Sequence, residues 1–248
     1  GPFLPWRRSN IKVLMRVIWL PGIFALGICL SLILMGIREI YPLISFSLCG
    51  LVVFGILLEW AKGTIARRKS SENYLIAFFL LIWANRPRYG GYIVHLAVVM
   101  LALGVVGSSF YGIQRDVIMS PGEVISVGDF DLRYIGEETY QMSDRTEFKY
   151  TVEAYSDGSL LATLNPERAF YPAFRMSSTR AGIRSTPVQD VYIIPSESME
   201  GGKTGFRIYV NPLVWWMWVA GPILILGTVV TLWPSRPLKA SPEIKDFG

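Results

Sequence analysis

Four nearly uncharged runs decide what this chain can fold into: residues 17–37, 41–61, 89–111 and 212–234. Each is long enough to cross a hydrocarbon core of about 30 Å, which takes ~20 helical residues. A backbone in lipid must satisfy its own N–H and C=O groups, so each run predicts a transmembrane helix. A fifth apolar stretch, residues 74–83, is too short to span and predicts a helix lying at the interface. The first run is not a cleaved signal peptide, because it begins inside the chain, is long and lacks a small-residue cleavage site. A start at Gly1 rather than Met fits a processed chain or part of a longer polypeptide.

Charge sets the orientation. Arg7, Arg8, Lys12 and Arg16 precede the first run. Lys62, Arg67, Arg68, Lys69, Arg86 and Arg88 lie between the second and third, and Arg236, Lys239 and Lys245 follow the fourth. On an alternating path all three groups share one side, which is therefore cytoplasmic. Residues 112–211 fall on the other side, with ten Lys/Arg and fourteen Asp/Glu, a net of −4. The overall charge of +5 thus comes from the membrane flanks and gives no reason to expect nucleic acid. Trp6, Trp60, Trp83, Trp215, Trp216, Trp218 and Trp233 sit near run ends and Trp19 just inside one, as in an aromatic belt. Cys29 and Cys49 both lie within runs, where unpaired apolar packing is expected.

The segment beyond the membrane reads as β structure. Phe130, Leu132 and Tyr134 alternate with Asp131 and Arg133, and Phe148, Tyr150, Val152 and Ala154 alternate with Lys149, Thr151 and Glu153. Period two places the apolar residues on one face of a strand. Asp157-Gly158 turns the chain into residues 160–164, a hairpin signal, and residues 191–194 and 206–210 form a later pair across a glycine-rich link. Five to seven strands in a small sandwich or barrel-like core are expected. Residues 165–187 break both periods and read as a loop holding Arg168, Arg175, Arg180 and Arg184. These arginines suit either carboxylate partners or a solvated loop near lipid headgroups. The expected fold is integral membrane and α-helical, with four transmembrane helices. A mainly β extracytoplasmic domain is inserted between the third and fourth. The divisions are 1–111, 112–211 and 212–248.

Enzyme motifs are absent from the sequence. A histidine-dependent triad would need a histidine outside the membrane, and the single histidine, His95, lies in the third run. Glu137-Glu138 is a poor acid/base pair, because adjacent strand residues point to opposite faces. No Cys-x-x-Cys is present. His95 is the candidate functional residue. An ionisable side chain within hydrocarbon is costly, and imidazole is a standard axial ligand of haem iron. A histidine satisfied by a neighbouring helix is the competing reading.

Four strings in order resemble one family. They are Arg88-Tyr-Gly-Gly-Tyr-Ile-Val-His95-Leu, Ala162-Thr-Leu-Asn-Pro-Glu167-Arg-Ala-Phe-Tyr-Pro172, Ala181-Gly-Ile-Arg-Ser-Thr-Pro187 with Gln189-Asp-Val-Tyr-Ile193, and Tyr209-Val-Asn-Pro-Leu-Val-Trp215. The opening Gly1-Pro-Phe-Leu-Pro-Trp6-Arg adds a fifth. Together they resemble the C-terminal part of CcmF, the large membrane subunit of the system I cytochrome c haem lyase. The resemblance implies haem attachment to apocytochrome c outside the membrane, and a b-type haem held within it by two histidines on different helices. His95 matches one of these haem-iron ligands. Implied partners are the remaining N-terminal CcmF half or an equivalent chain, apocytochrome c with its CcmH- and CcmI-like binding subunits, a CcmE-like haem chaperone, and membrane lipid. The plasma (inner) membrane is the implied location. The family's tryptophan-rich loop, its two flanking outer histidines and its second membrane histidine find no match here. The expectation is therefore a split or truncated form, not catalytic alone, that gives one axial ligand to haem b. The alternative is a non-catalytic scaffold whose β domain recruits assembly factors, with His95 structural.

Overall fold

The computed structural model describes residues 11–68, 73–199 and 201–234. The expectations on Trp6, Arg7, Arg8, Lys69, Arg236, Lys239 and Lys245 lie outside these residues, as does the opening string. Five helices and ten strands follow in order among the described residues. They are α1 (Ile11–Leu34), α2 (Ile40–Arg67), α3 (Tyr74–Ala84), α4 (Arg86–Tyr111), ten strands from Ile113 to Pro212, and α5 (Val214–Leu232). α1, α2, α4 and α5 are long and apolar enough to cross a membrane, while α3 is the short apolar helix. The Asn73 side chain caps α3 by accepting from the Leu75 N–H at 3.2 Å. α4 starts three residues earlier than the apolar run, because Pro87 suits a first helical turn whose N–H groups lack intrahelical partners.

Glycines bring α4 and α5 together. A Cβ at Gly90 would lie 2.7 Å from the Thr231 amide nitrogen, and one at Gly227 would lie 2.8 Å from that of Val94. Gly104 and Gly107 face Met217 and Leu213 in the same way. Between lipid-embedded helices the drive is close van der Waals approach, which small residues permit. Gly90→Ala and Gly227→Ala are each expected to destabilise this pair by about 1–3 kcal/mol, the usual cost of overpacking. The check is a melt of detergent-solubilised chain against a control Gly22→Ala, where a Cβ meets nothing. A midpoint lowered equally by all three would contradict the packing argument.

The strands form two antiparallel sheets. One has the order β1 (Ile113–Met119), β10 (Thr204–Pro212), β9 (Gln189–Ser198), β8 (Gly182–Arg184). The other has β2 (Val124–Val127), β3 (Phe130–Gln141), β4 (Thr146–Ser156), β6 (Glu167–Tyr171), β7 (Met176–Arg180), with β5 (Ser159–Leu164) also on β4. The alternating residues named from sequence face inward: Leu132, Tyr134, Val152, Ala154, Val191, Ile193 and Ile208 are essentially sealed from solvent. Phe206 lies edge-on to Tyr134 and Tyr150, with centroids 5.1 and 5.7 Å away. Burial pushes both phenols above their ordinary pKa, so each remains a neutral hydroxyl that shares a hydrogen bond, Tyr134 with Thr204 and Tyr150 with Ser198.

Two expectations need correcting. The strands number ten rather than five to seven, and residues 165–187 are not a loop but hold β6, β7 and β8. Their residues are mostly exposed or half-buried on both faces, so no period-two signal marks them. The Asp157-Gly158 hairpin is present, with φ of 50° and 76°, as is the β9–β10 pair, with Val191 opposite Val210. Cys29 and Cys49 are unpaired.

β1 and β10 are neighbours, with Ile113 opposite Val210. The chain leaves α4 into β1 and enters α5 from β10. Two adjacent strands thus hold two adjacent helices, and the β unit is carried on the α4–α5 pair.

Candidate functional site

His95 lies nine residues into α4, about 13 Å along its axis at 1.5 Å per residue. Its Nδ1 is 2.7 Å from the Gly91 carbonyl oxygen one turn earlier. A carbonyl can only accept, so Nδ1 carries the proton, and Nε2 is the ring nitrogen left to act as a ligand. Among the described residues Nε2 has no hydrogen-bond partner. The outer nitrogen of a metal-ligating histidine is commonly held by such a bond, which fixes tautomer and orientation.

The surroundings divide the two glycines of the motif. Gly90 is packed under Thr231 of α5, whereas a Cβ at Gly91 would meet nothing within 4 Å. Gly91 precedes His95 by four residues, so the two share a helix face. Arg88, Gly91, His95, Val98, Ala102 and Val105 continue that face at alternating spacings of three and four. Each of the six is half-buried or exposed, and Val98 keeps 53% of its surface. This stripe of α4 therefore faces away from α5 and is left partly open among the described residues, with α2 meeting its Arg88 end through Glu59. A planar group or another helix can approach it, and Nε2 is available to a metal arriving there.

The two cations at the start of α4 behave differently. Arg86 is spent on structure: Nε donates to the Trp83 carbonyl at 3.2 Å and Nη1 to the Pro234 carbonyl at 2.8 Å. Its guanidinium also stacks 3.9 Å from the Trp83 ring centre. It thereby ties the ends of α3 and α5 together, and does not join His95. Arg88 is seven residues before His95, about 20° around the helix and about 10 Å along it. It pairs with Glu59 of α2, and its Nε donates to the Tyr92 hydroxyl at 3.0 Å. Glu59 and Tyr92 were not singled out from sequence. Glu59 is the sole acid of α2, and a lone carboxylate inside an apolar run was the available signal.

The four arginines of residues 165–187 lie on the β unit, far along the chain from this site. Arg168 donates to the Ser196 carbonyl at 2.6 Å and bridges β6 to β9. Arg180 is 79% exposed and pairs with Glu167 at 3.0 Å. Arg184 is half-buried beside the Phe130 ring. Arg175 stands exposed at the β6–β7 turn with φ of 49°. Trp216 donates from Nε1 to the Pro187 carbonyl at 2.9 Å, so it anchors the helix entry.

Residues 110–212 match the family model described as the CcmF C-terminal beta-sandwich. The cytochrome c-type biogenesis protein CcmF of Haemophilus influenzae is 25% identical over 238 residues, covering 95% of this chain and 36% of that protein. CcmF of Pseudomonas aeruginosa is 33% identical over 143 residues, or 58% of this chain and 22% of that one. A solved cytochrome c heme lyase CcmF superposes with a TM-score of 0.68 at 25% identity, over 94% of this chain and 37% of its own. The chain thus spans about a third of the length of the full proteins it aligns with end to end. Likenesses in sequence and in backbone both extend over about 95% of the chain: this multi-pass membrane polypeptide is similar to part of CcmF proteins, and its β unit to their C-terminal beta-sandwich.

Proposed function

We propose that this chain is a subunit of a cytochrome c maturation haem lyase, and that His95 supplies one axial ligand to a b-type haem within the membrane. The observation that carries the proposal is the His95 ring itself, tethered at Nδ1 with Nε2 free on a partly open stripe. The residues present fit one side of a haem: Nε2 as the ligand atom, open space above Gly91, and an apolar run beyond. When bound, the haem supplies a one-electron iron centre for reducing the haem iron destined for attachment. His95 orients and ligates, the stripe excludes water, and the second imidazole comes from outside this sequence, which holds a single histidine. The test is a dithionite-reduced spectrum of the purified chain with whatever co-purifies. A b-type signal supports the proposal. No haem with a full-length partner present would favour the scaffold reading, for which the Gly91 bond speaks, since it already satisfies one ring nitrogen.

The same reading makes the β unit the extracytoplasmic docking part, with the start of α4 and the end of α5 on the cytoplasmic side of an inner membrane. Its support is the rigid two-strand tether and the exposed arginines of the β6–β7 hairpin. Candidate partners are apocytochrome c with its CcmH- and CcmI-like binding subunits and a CcmE-like haem chaperone. Charge reversal of Arg175 and Arg180 together is expected to weaken co-purification of a partner at least tenfold while haem content stays unchanged. Recovery equal to wild type would make the hairpin a merely solvated edge. Arg184, half-buried on Phe130, is unsuited to this test because reversing it perturbs packing.

A further inference from the structure

The Arg88–Glu59 pair joins α2 to α4 within apolar helices, on the face that carries His95. As a staple it is a poor choice. With the Arg88 side chain half exposed, such an ion pair contributes little, and an apolar pair of similar volume would hold the helices as well. Of the two, Glu59 lies inside an apolar run, and a charge kept inside a membrane helix more often marks function. The guanidinium is also incompletely used. Nε donates to Tyr92 and one Nη2 hydrogen to Glu59, so among the described residues three of five donors remain without a partner. The Arg88 side chain is half exposed, against 21% for Glu59. The group is thus held in place from two sides with an edge left open. That edge lies two helical turns before His95 and nearly in line with it. A planar group ligated by Nε2 and lying along the helix would reach it with its rim. Arg86, the other nearby cation, is committed to two carbonyls and a tryptophan face.

We propose that Arg88 holds a propionate carboxylate of the His95 haem, and that Glu59 sets how much of the Arg88 charge that carboxylate receives. The inference rests on His95 as ligand. Planar, forked donors suit a carboxylate better than an ammonium does. A cation at the rim stabilises the reduced haem, which carries one more negative charge than the oxidised form. Glu59 opposes that effect by sharing the guanidinium.

The experiment is a spectroelectrochemical titration of the purified membrane complex bearing Arg88→Gln, Arg88→Lys or Glu59→Gln. At a fixed potential, Arg88→Gln is expected to lower the reduced-to-oxidised haem ratio at least tenfold, a midpoint shift of about 59 mV for one electron. Arg88→Lys should fall between it and wild type, and Glu59→Gln should shift the midpoint upward. An unchanged midpoint in Arg88→Gln, even with lower thermal stability, is the result of a mere staple and overturns the proposal. If Arg88→Gln binds no haem, Glu59→Gln decides: a raised midpoint supports the proposal and an unchanged one overturns it. His95→Ala run in parallel separates the two readings. Full haem in that variant removes the ligand assignment itself, whereas unchanged midpoints with haem lost in His95→Ala remove only the role of Arg88.

Discussion

His95→Ala is expected to empty the membrane haem site almost completely while leaving the helices intact. Alanine removes Nε2, and no other histidine in the sequence can replace it. The Gly91 carbonyl loses its side-chain donor but keeps its place in the α4 ladder, so the helix should survive. His95 lies on a partly open stripe, and truncation there should change stability by only about 0.5 kcal/mol. Haem per mole of chain, read from the dithionite-reduced spectrum, is the measurement, with circular dichroism as the control for helix content. Gly91→Leu sharpens it. A Cβ at Gly91 meets nothing within 4 Å, so the fold should tolerate a side chain there, yet a leucine would occupy the space over the stripe. Haem loss in both variants with unchanged helicity is the expected pattern. Full haem in His95→Ala would make the histidine structural, and a silent Gly91→Leu would place any haem on another face.

The four long helices were legible because lipid leaves the backbone no alternative once a run exceeds the membrane width. The inner strands were legible for a related reason. Tyr134, Val152 and Ile193 are sealed on one side while their neighbours are not, and burial on a single face is what writes period two into a sequence. β6, β7 and β8 lack that asymmetry: Met176–Arg180 is exposed throughout, so nothing distinguished it from a loop. At the site, His95 was visible because an imidazole in hydrocarbon needs a reason. Its surroundings were not. Gly90 and Gly91 are indistinguishable as adjacent letters, and only the position of α5 makes one a packing residue and the other an opening. The division between Arg86 and Arg88 is equally tertiary. It depends on Pro234 and Glu59, which are remote in sequence from both.

Asp190→Ala is expected to destabilise the β unit by roughly 1–3 kcal/mol, the range for leaving a buried polar group without its hydrogen-bond partner. Asp190 is fully buried at the start of β9. Its Oδ1 accepts from the Ser185 hydroxyl at 2.7 Å and from the Thr186 amide at 3.0 Å, while Oδ2 accepts from the Tyr192 hydroxyl at 3.4 Å. Thr186 closes the turn, its hydroxyl donating to the Gln189 carbonyl at 2.7 Å and accepting from the Gln189 amide at 3.1 Å. The ordered turn then presents two carbonyls to the membrane junction. Pro187 receives Trp216, and Val188 receives the amide of Leu213, whose φ of 62° makes the corner into α5. Alanine leaves the Thr186 amide and two hydroxyls without this acceptor. A domain of this size has only about 5–15 kcal/mol in hand, so the loss is a large share. Asp190→Asn keeps an acceptor oxygen and should cost less than half as much. Limited proteolysis of the purified chain, with cleavage sites mapped, is the direct check. New cuts within residues 113–212 in Asp190→Ala, few in Asp190→Asn, and retained haem would show that this carboxylate organises the β unit and its entry to α5 without touching the His95 site. Wild-type resistance in Asp190→Ala would mean that the junction is held by β-strand pairing alone.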